Sequence, residues 1–129
     1  MSNTIKSNSY GNTKEILLDP HTAYAIPVQV NNTGVTENAD GRKVLPAGTV
    51  LGGSDTALTK RTAVLSKVND ATAQGILLWD LDVTDGTETG TMVVRGVIDS
   101  SKITNFSTDV PAAAQKAMPH IIFRNGEYD

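Results

Sequence analysis

Between Ala73 and Val83 the sequence carries its strongest ordering signal, and this stretch restricts the fold more than any other. Leu77, Trp79, Leu81 and Val83 recur at period two, while Ile76, Leu78, Asp80 and Asp82 share the opposite face. One strand over these residues would be buried on both faces at its start and on one face at its end. After a loop from Thr84 to Gly90, the run Met92 to Ile98 is again rich in Val and Ile, so the two runs together predict a hairpin. The loop exceeds two residues, which leaves turn type and register open.

The remainder of the chain agrees with a sheet. Thr, Val and Ile occur 16, 12 and 8 times, so 36 of 129 residues are β-branched. The alternating stretch Ala25 to Val30 predicts a strand, with Pro27 marking an edge or a strand start. Asn31 to Gly34 and Glu37 to Gly41 are turn chemistry, because Asn, Asp and Gly tolerate left-handed backbone. Lys43 to Gly53 reads as two short strands hinged at Pro46 to Gly48, Ser54 to Arg61 as a polar surface loop, and Thr62 to Val68 is short and ambiguous. Near the end, Thr108 or Asp109 as cap, Pro111 in the first turn and Ala112 to Met118 predict one helix of about two turns, stopped by Pro119. Its stripe of small residues would be Val110, Ala113, Ala114 and Ala117, and His120 to Arg124 would form a last strand.

These elements predict a mainly β (α+β) fold, a small β-sandwich or barrel with one short helix in its C-terminal region. At 129 residues the chain has the length of one domain and can bury roughly two-thirds of its unfolded surface. Residues 1–15 hold few apolar anchors, chiefly Ile5 and Tyr10, and read as a flexible arm; 16–129 read as a single β-rich domain. The arm either orders on a partner by adding a strand to an exposed sheet edge or is an idle frayed terminus.

Charge and composition exclude several function classes. Eleven basic against fourteen acidic residues leave a net charge of −3, with no basic surplus for a nucleic-acid backbone. No apolar run is long enough to span a bilayer, and the first ten residues lack the pattern of a secretory signal. Without Cys there is no disulfide, thiol nucleophile or zinc–thiolate site. Asp80, Asp82, Asp85 and Glu88 crowd one segment, but their register departs from a calcium-binding loop, and a solvated rim is the simpler reading. His21 and His120 lack a second ligand at metal spacing, no Ser lies in a Gly-x-Ser-x-Gly elbow, and Gly52-Gly53 lacks the Lys of a phosphate loop. Neither a catalytic residue nor a cofactor or metal site is expected. Lys60-Arg61 reads as a solvated loop, and Trp79 as core or subunit interface.

Three stretches carry a resemblance: Leu17 to Ala23, Gly41 to Thr49, and above all Asp70 to Gly86, which contains Ala73-Gln74-Gly75-Ile76-Leu77-Leu78-Trp79-Asp80. They are similar to the head fibre or head decoration proteins of tailed bacteriophages that infect Gram-positive hosts, and the chain more distantly resembles the lambda-type decoration fold. The resemblance spans residues 16 to 124, and its motifs are structural. It implies a non-enzymatic protein, made in the host cytoplasm and carried on the virion, that binds the outer surface of the expanded capsid as homotrimers at three-fold and quasi-three-fold positions. Its partners would be the major capsid protein and itself. The arm contacts would be Ile5, Lys6, Tyr10, Lys14, Ile16 and Leu17, and trimer or core packing would fall to Trp79, Leu77, Leu81 and Pro46. Ordering about ten arm residues costs on the order of 10 kcal/mol, which a main-chain strand pairing can offset and three arms on one trimer would multiply. A second reading is a small adhesive or carbohydrate-binding β-module, or the capsid-anchoring base of a fibre, with Trp79 and the acidic residues as its site. An enzyme is the third.

Overall fold

A computed structural model of the chain describes residues 15–126. Its strands are β1 (Tyr24–Val30), β2 (Val44–Leu45), β3 (Val50–Gly52), β4 (Val64–Lys67), β5 (Ala73–Leu77), β6 (Leu81–Asp82), β7 (Glu88–Asp99) and β8 (Ile121–Arg124). Two short helices, α1 (Phe106–Asp109) and α2 (Ala112–Ala117), lie between β7 and β8.

Five strands close into a small barrel in the order β1, β4, β3, β5, β7 and back to β1. Closure needs two different pairings of β1. Along its whole length it is antiparallel to β7, from Tyr24 opposite Arg95 to Val30 opposite Glu88. At its end only Gln29 and Val30 pair with Val64 and Leu65 of β4, in parallel. Pro27 therefore sits where β1 is paired on one side only, in keeping with its missing N–H.

The barrel wall is buried on both faces where β3, β5 and β7 run side by side. Leu51, Leu77 and Met92 point into the barrel with Val28, Val30 and Leu65, while their neighbours Val50, Ile76 and Val93 point outward. The outward set is covered by Ile103, Val110, Ala114, Met118 and Ile121, so the helical segment and β8 form a second layer. Gly75 makes the interior packing fit. A Cβ there would stand 2.5 Å from the Val93 carbonyl oxygen and 2.6 Å from Met92 Cγ, so the missing side chain is the space that Met92 fills.

Several expectations need correction. The run from Ile76 to Val83 is two strands in two sheets. The chain leaves the barrel after Leu77, and Leu81 and Asp82 pair with Leu45 and Val44 in a separate ribbon. A hydrogen bond spans the crossing: Asp80 Oδ1 accepts the Ala47 N–H at 2.8 Å, tying the bend to the turn that follows β2. The ribbon still serves the barrel, because Leu45 and Val83 join its interior cluster. The hairpin pairing between the two runs is present, as Ile76 opposite Val93 and Leu77 opposite Met92. However, β7 begins at Glu88, within the segment expected to be loop.

The single expected helix is two. Pro111 has no N–H to continue the ladder that ends with Val110 N–H on the Phe106 carbonyl, so the chain breaks there and Pro111 becomes the cap position of α2. Asp109 belongs to the end of α1 rather than to a cap. Val110, Ala114 and Met118 form the buried ridge, Ala117 is half-buried, and Ala113 faces outward.

The double-sided burial predicts two sensitive positions. Gly75→Ala is expected to lose about 1–3 kcal/mol through overpacking against a backbone carbonyl. Leu77→Ala is expected to lose about 2–5 kcal/mol through an unfilled barrel interior. Urea unfolding of each variant checks both.

Candidate interaction surface

The residues expected at the arm divide at the edge of the described structure. Ile5, Lys6, Tyr10 and Lys14 lie outside the described residues. Ile16 and Leu17 belong to the body and not to an arm: Ile16 is fully buried in the outer core layer, and Leu17 forms a bridge with Ile98 of β7. The Asp99 N–H donates to the Ile16 carbonyl at 2.8 Å, and the Leu18 N–H donates to the Val97 carbonyl at 3.0 Å. Ile16 and Leu17 read as arm contacts in sequence because their partners on β7 are some eighty positions away.

The four packing candidates also separate. Leu77 is barrel interior, and Leu81 packs against that interior from the ribbon. Trp79 is half-buried in the bend between β5 and β6, outside both core clusters. Pro46 is exposed on the turn between β2 and β3, beside a groove of about 470 Å³. That groove also carries Lys67, Asn69, Asp109 and Asn105, the last in left-handed backbone at φ 58°.

The acidic segment is not simply a solvated rim. Asp80 holds the turn at Ala47, and Asp82 is the centre of a small network. Asp82 Oδ1 accepts from the Thr84 hydroxyl at 2.6 Å and its N–H at 2.9 Å; Oδ2 accepts from Arg42 Nη2 at 2.7 Å and Nε at 3.0 Å. These donors, led by the Thr84 hydroxyl, pull the Asp82 carboxyl down to about 2. Asp85 and Glu88 are exposed and make no such contacts. Among the described residues no group of three or more acidic or imidazole side chains could hold a metal ion. No described helix is long and apolar enough to cross a membrane.

A different convergence is the most distinctive part of the surface. His21, Arg95 and His120 line one open groove of about 500 Å³ together with Gly96, Val97 and Ile122. A bulge in the β1–β7 ladder lies beside it. Tyr24 is opposite Arg95 while Ala25 is opposite Val93, so Val94 is unmatched, and Arg95 is exposed on the surface. Arg95 Nε then donates to the Thr22 carbonyl at 3.4 Å, and its guanidinium lies 5.9 Å from the centre of the Tyr24 ring. Tyr24 and Ile122 flank the groove, 53% and 60% exposed. Each histidine looked solitary in sequence. The parallel pairing of β8 with β7 and the short 3₁₀ turn at Pro20–Thr22 bring them to the same place, a convergence that no spacing along the chain encodes.

Two segments distant in sequence, at Ile16 and at Gly126, are tied to one residue two positions after Val97 of this groove. Asp99 is 6% exposed, and its Oδ1 accepts from the Ser101 hydroxyl at 2.6 Å, the Ser101 N–H at 3.0 Å and the Gly126 N–H at 2.9 Å. The Ser101 hydroxyl leads in holding its carboxyl below the ordinary range, against the opposing effect of burial.

The Asp82 network sets a pH dependence. Its folded carboxyl lies below the ordinary 3.8, so its stabilisation is complete above that value and is lost as pH falls toward about 2. Thermal unfolding between pH 4 and 2 is expected to fall less steeply in Asp82→Asn than in the unaltered chain. Equal slopes would assign the acid sensitivity elsewhere. Comparison with protein-family models and with curated proteins returns no match for this chain.

Proposed function

We propose that the chain is a non-enzymatic structural protein that decorates the outside of an expanded bacteriophage capsid, self-associating, with an N-terminal arm that pairs with the capsid surface. The resemblance of Leu17 to Ala23, Gly41 to Thr49 and Asp70 to Gly86 suggests this reading. The observation that supports it best is how residues 16 to 18 are built into β7. Ile16 is core, Leu17 bridges Ile98 and Leu18 bonds Val97, so a load on the preceding residues is delivered to the longest strand of the barrel. A cement protein needs such a rigid anchor, because an arm on a frayed end would order without holding anything. Exposed Leu18, Tyr24 and Ile122 lie in this same region and offer apolar area to a partner.

The alternative of a saccharide-binding module centred on Trp79 and the acidic residues draws less support. Asp82 already accepts four hydrogen bonds, from Arg42 and Thr84 beside the ribbon, and Asp80 accepts one from the Ala47 N–H, so the two carboxylates nearest Trp79 have structural partners within the fold.

Co-sedimentation with expanded and unexpanded heads of the source phage tests the proposal. The full chain is expected to bind expanded heads only, and removal of residues 1–14 to weaken that binding while unfolding of the body is unchanged. Binding to neither form would overturn the decoration role, and unchanged affinity of the shortened chain would overturn the arm. Ile16→Ala serves as the contrasting variant. It is expected to destabilise the body itself by about 2–5 kcal/mol, since it opens a cavity in the outer layer.

A further inference from the structure

We infer that the groove of His21, Arg95 and His120 receives the acidic turn of a second copy of this chain, at Asp85 and Glu88, in a head-to-tail contact. The inference rests on the self-association in the reading above and names the surfaces that make it.

Charge segregation along one strand pair carries the argument. β1 and β7 are antiparallel, with Tyr24 opposite Arg95 at one end and Val30 opposite Glu88 at the other. Six residue steps of β1, from Tyr24 opposite Arg95 to Val30 opposite Glu88, span the distance between them, about 20 Å at the usual rise. Four of the six acidic residues between 70 and 99, namely Asp80, Asp82, Asp85 and Glu88, fall within nine positions, while the one base, Arg95, stands at the other end of the strand pair, where the nearest of the six, Asp99, is buried and bonded to Ser101 and Gly126. The acidic end offers Asp85 and Glu88, exposed and without a side-chain partner among the described residues. At the opposite end stand a guanidinium and two imidazoles, and no carboxylate lines their groove. The ion pairs among the described residues are Arg42 with Asp82 and Lys60 with Asp55, so Arg95 is free of a carboxylate.

The groove is also built to hold its cation in place. The Thr22 carbonyl and the Tyr24 ring fix the guanidinium before any partner arrives, which lowers the entropy lost on contact. A neutral imidazole still carries one N–H donor, so both histidines can bond a carboxylate in either protonation state. Exposed Tyr24 and Ile122 supply an apolar margin around the polar centre.

The two surfaces lie at opposite ends of the strand pair, so the contact they make is heterologous. Such contacts propagate from copy to copy and close into a ring when the rotation permits. One chain therefore contributes its groove to one neighbour and its turn to the other.

Sedimentation velocity of the full chain across a concentration series, at low and at raised salt, tests this. The unaltered chain is expected to associate, and less so at raised salt, because the contact is electrostatic. Arg95→Glu, with unchanged circular dichroism, is expected to raise the dissociation constant at least about tenfold by placing like charges together. Glu88→Arg should do the same, and the double variant Arg95→Glu with Glu88→Arg should recover most of the loss. His120→Glu is the second groove variant, should Arg95→Glu disturb the fold. A chain that stays monomeric at every concentration would overturn the inference, leaving the groove to an acidic segment of another protein. An assembly indifferent to both single reversals, or not recovered by the exchange, would overturn it as well. Head binding is read separately. Association without head binding would sink the decoration role alone, whereas head binding by a monomer would sink this contact alone.

Discussion

Twelve consecutive residues of β7, Glu88–Asp99, pair with three other strands and with residues 16 to 18, more neighbours than any other strand has. Its first half closes the barrel against β1, its middle pairs with β5, and its second half is flanked by β8 on one side and by residues 16 to 18 on the other. A strand that serves two layers must be apolar on both faces, and Met92 and Val93 send neighbouring side chains into the two separate cores. It must also bend between its duties. The unmatched Val94 and the neighbouring Gly96, at φ 150°, supply that bend.

Arg95 stands next to the bend, exposed beside a ring and a carbonyl that orient it. The groove it shares with His21 and His120 therefore lies where the strand passes from the barrel to the outer layer. Asp99, at the strand's far end, then joins two segments distant in sequence, its N–H bonding Ile16 and its carboxylate bonding Gly126. A barrel of this size has a small interior, and such cross-links add to what packing supplies.

Carboxylates do unequal work in this fold. Asp80, Asp82 and Asp99 accept hydrogen bonds that turn, clasp or terminate the chain, whereas Asp85 and Glu88 remain open to solvent. Sequence alone cannot divide an acidic cluster in this way, since every member carries the same charge and the division depends on which backbone N–H groups fold to within reach. For a protein proposed to act by contact, the open acids and the fixed cation matter more than the total charge.

Much of the local structure was legible before any fold was known. Period-two alternation identified the strand at 25–30 and, within a single run read from 73 to 83, the start that is buried on both faces; the β-rich run at 92–98 marked another strand, the Pro46 to Gly48 hinge separated two short strands, and the β-branched composition leaned toward a sheet. The position of the helical segment was legible too, but its break at Pro111 turned one helix into two. Tertiary structure decided the rest: that the run after Leu77 leaves for a second ribbon, that β1 and β4 meet in parallel to close the barrel, that Ile16 is core, and that His21, Arg95 and His120 converge. The physical reason is the same in each case. Side-chain periodicity records which face of a segment is apolar, and that is a local property. Which segment lies beside it is chosen by backbone hydrogen bonds common to all residues and by the packing of distant side chains, so it exists only once the chain has closed on itself.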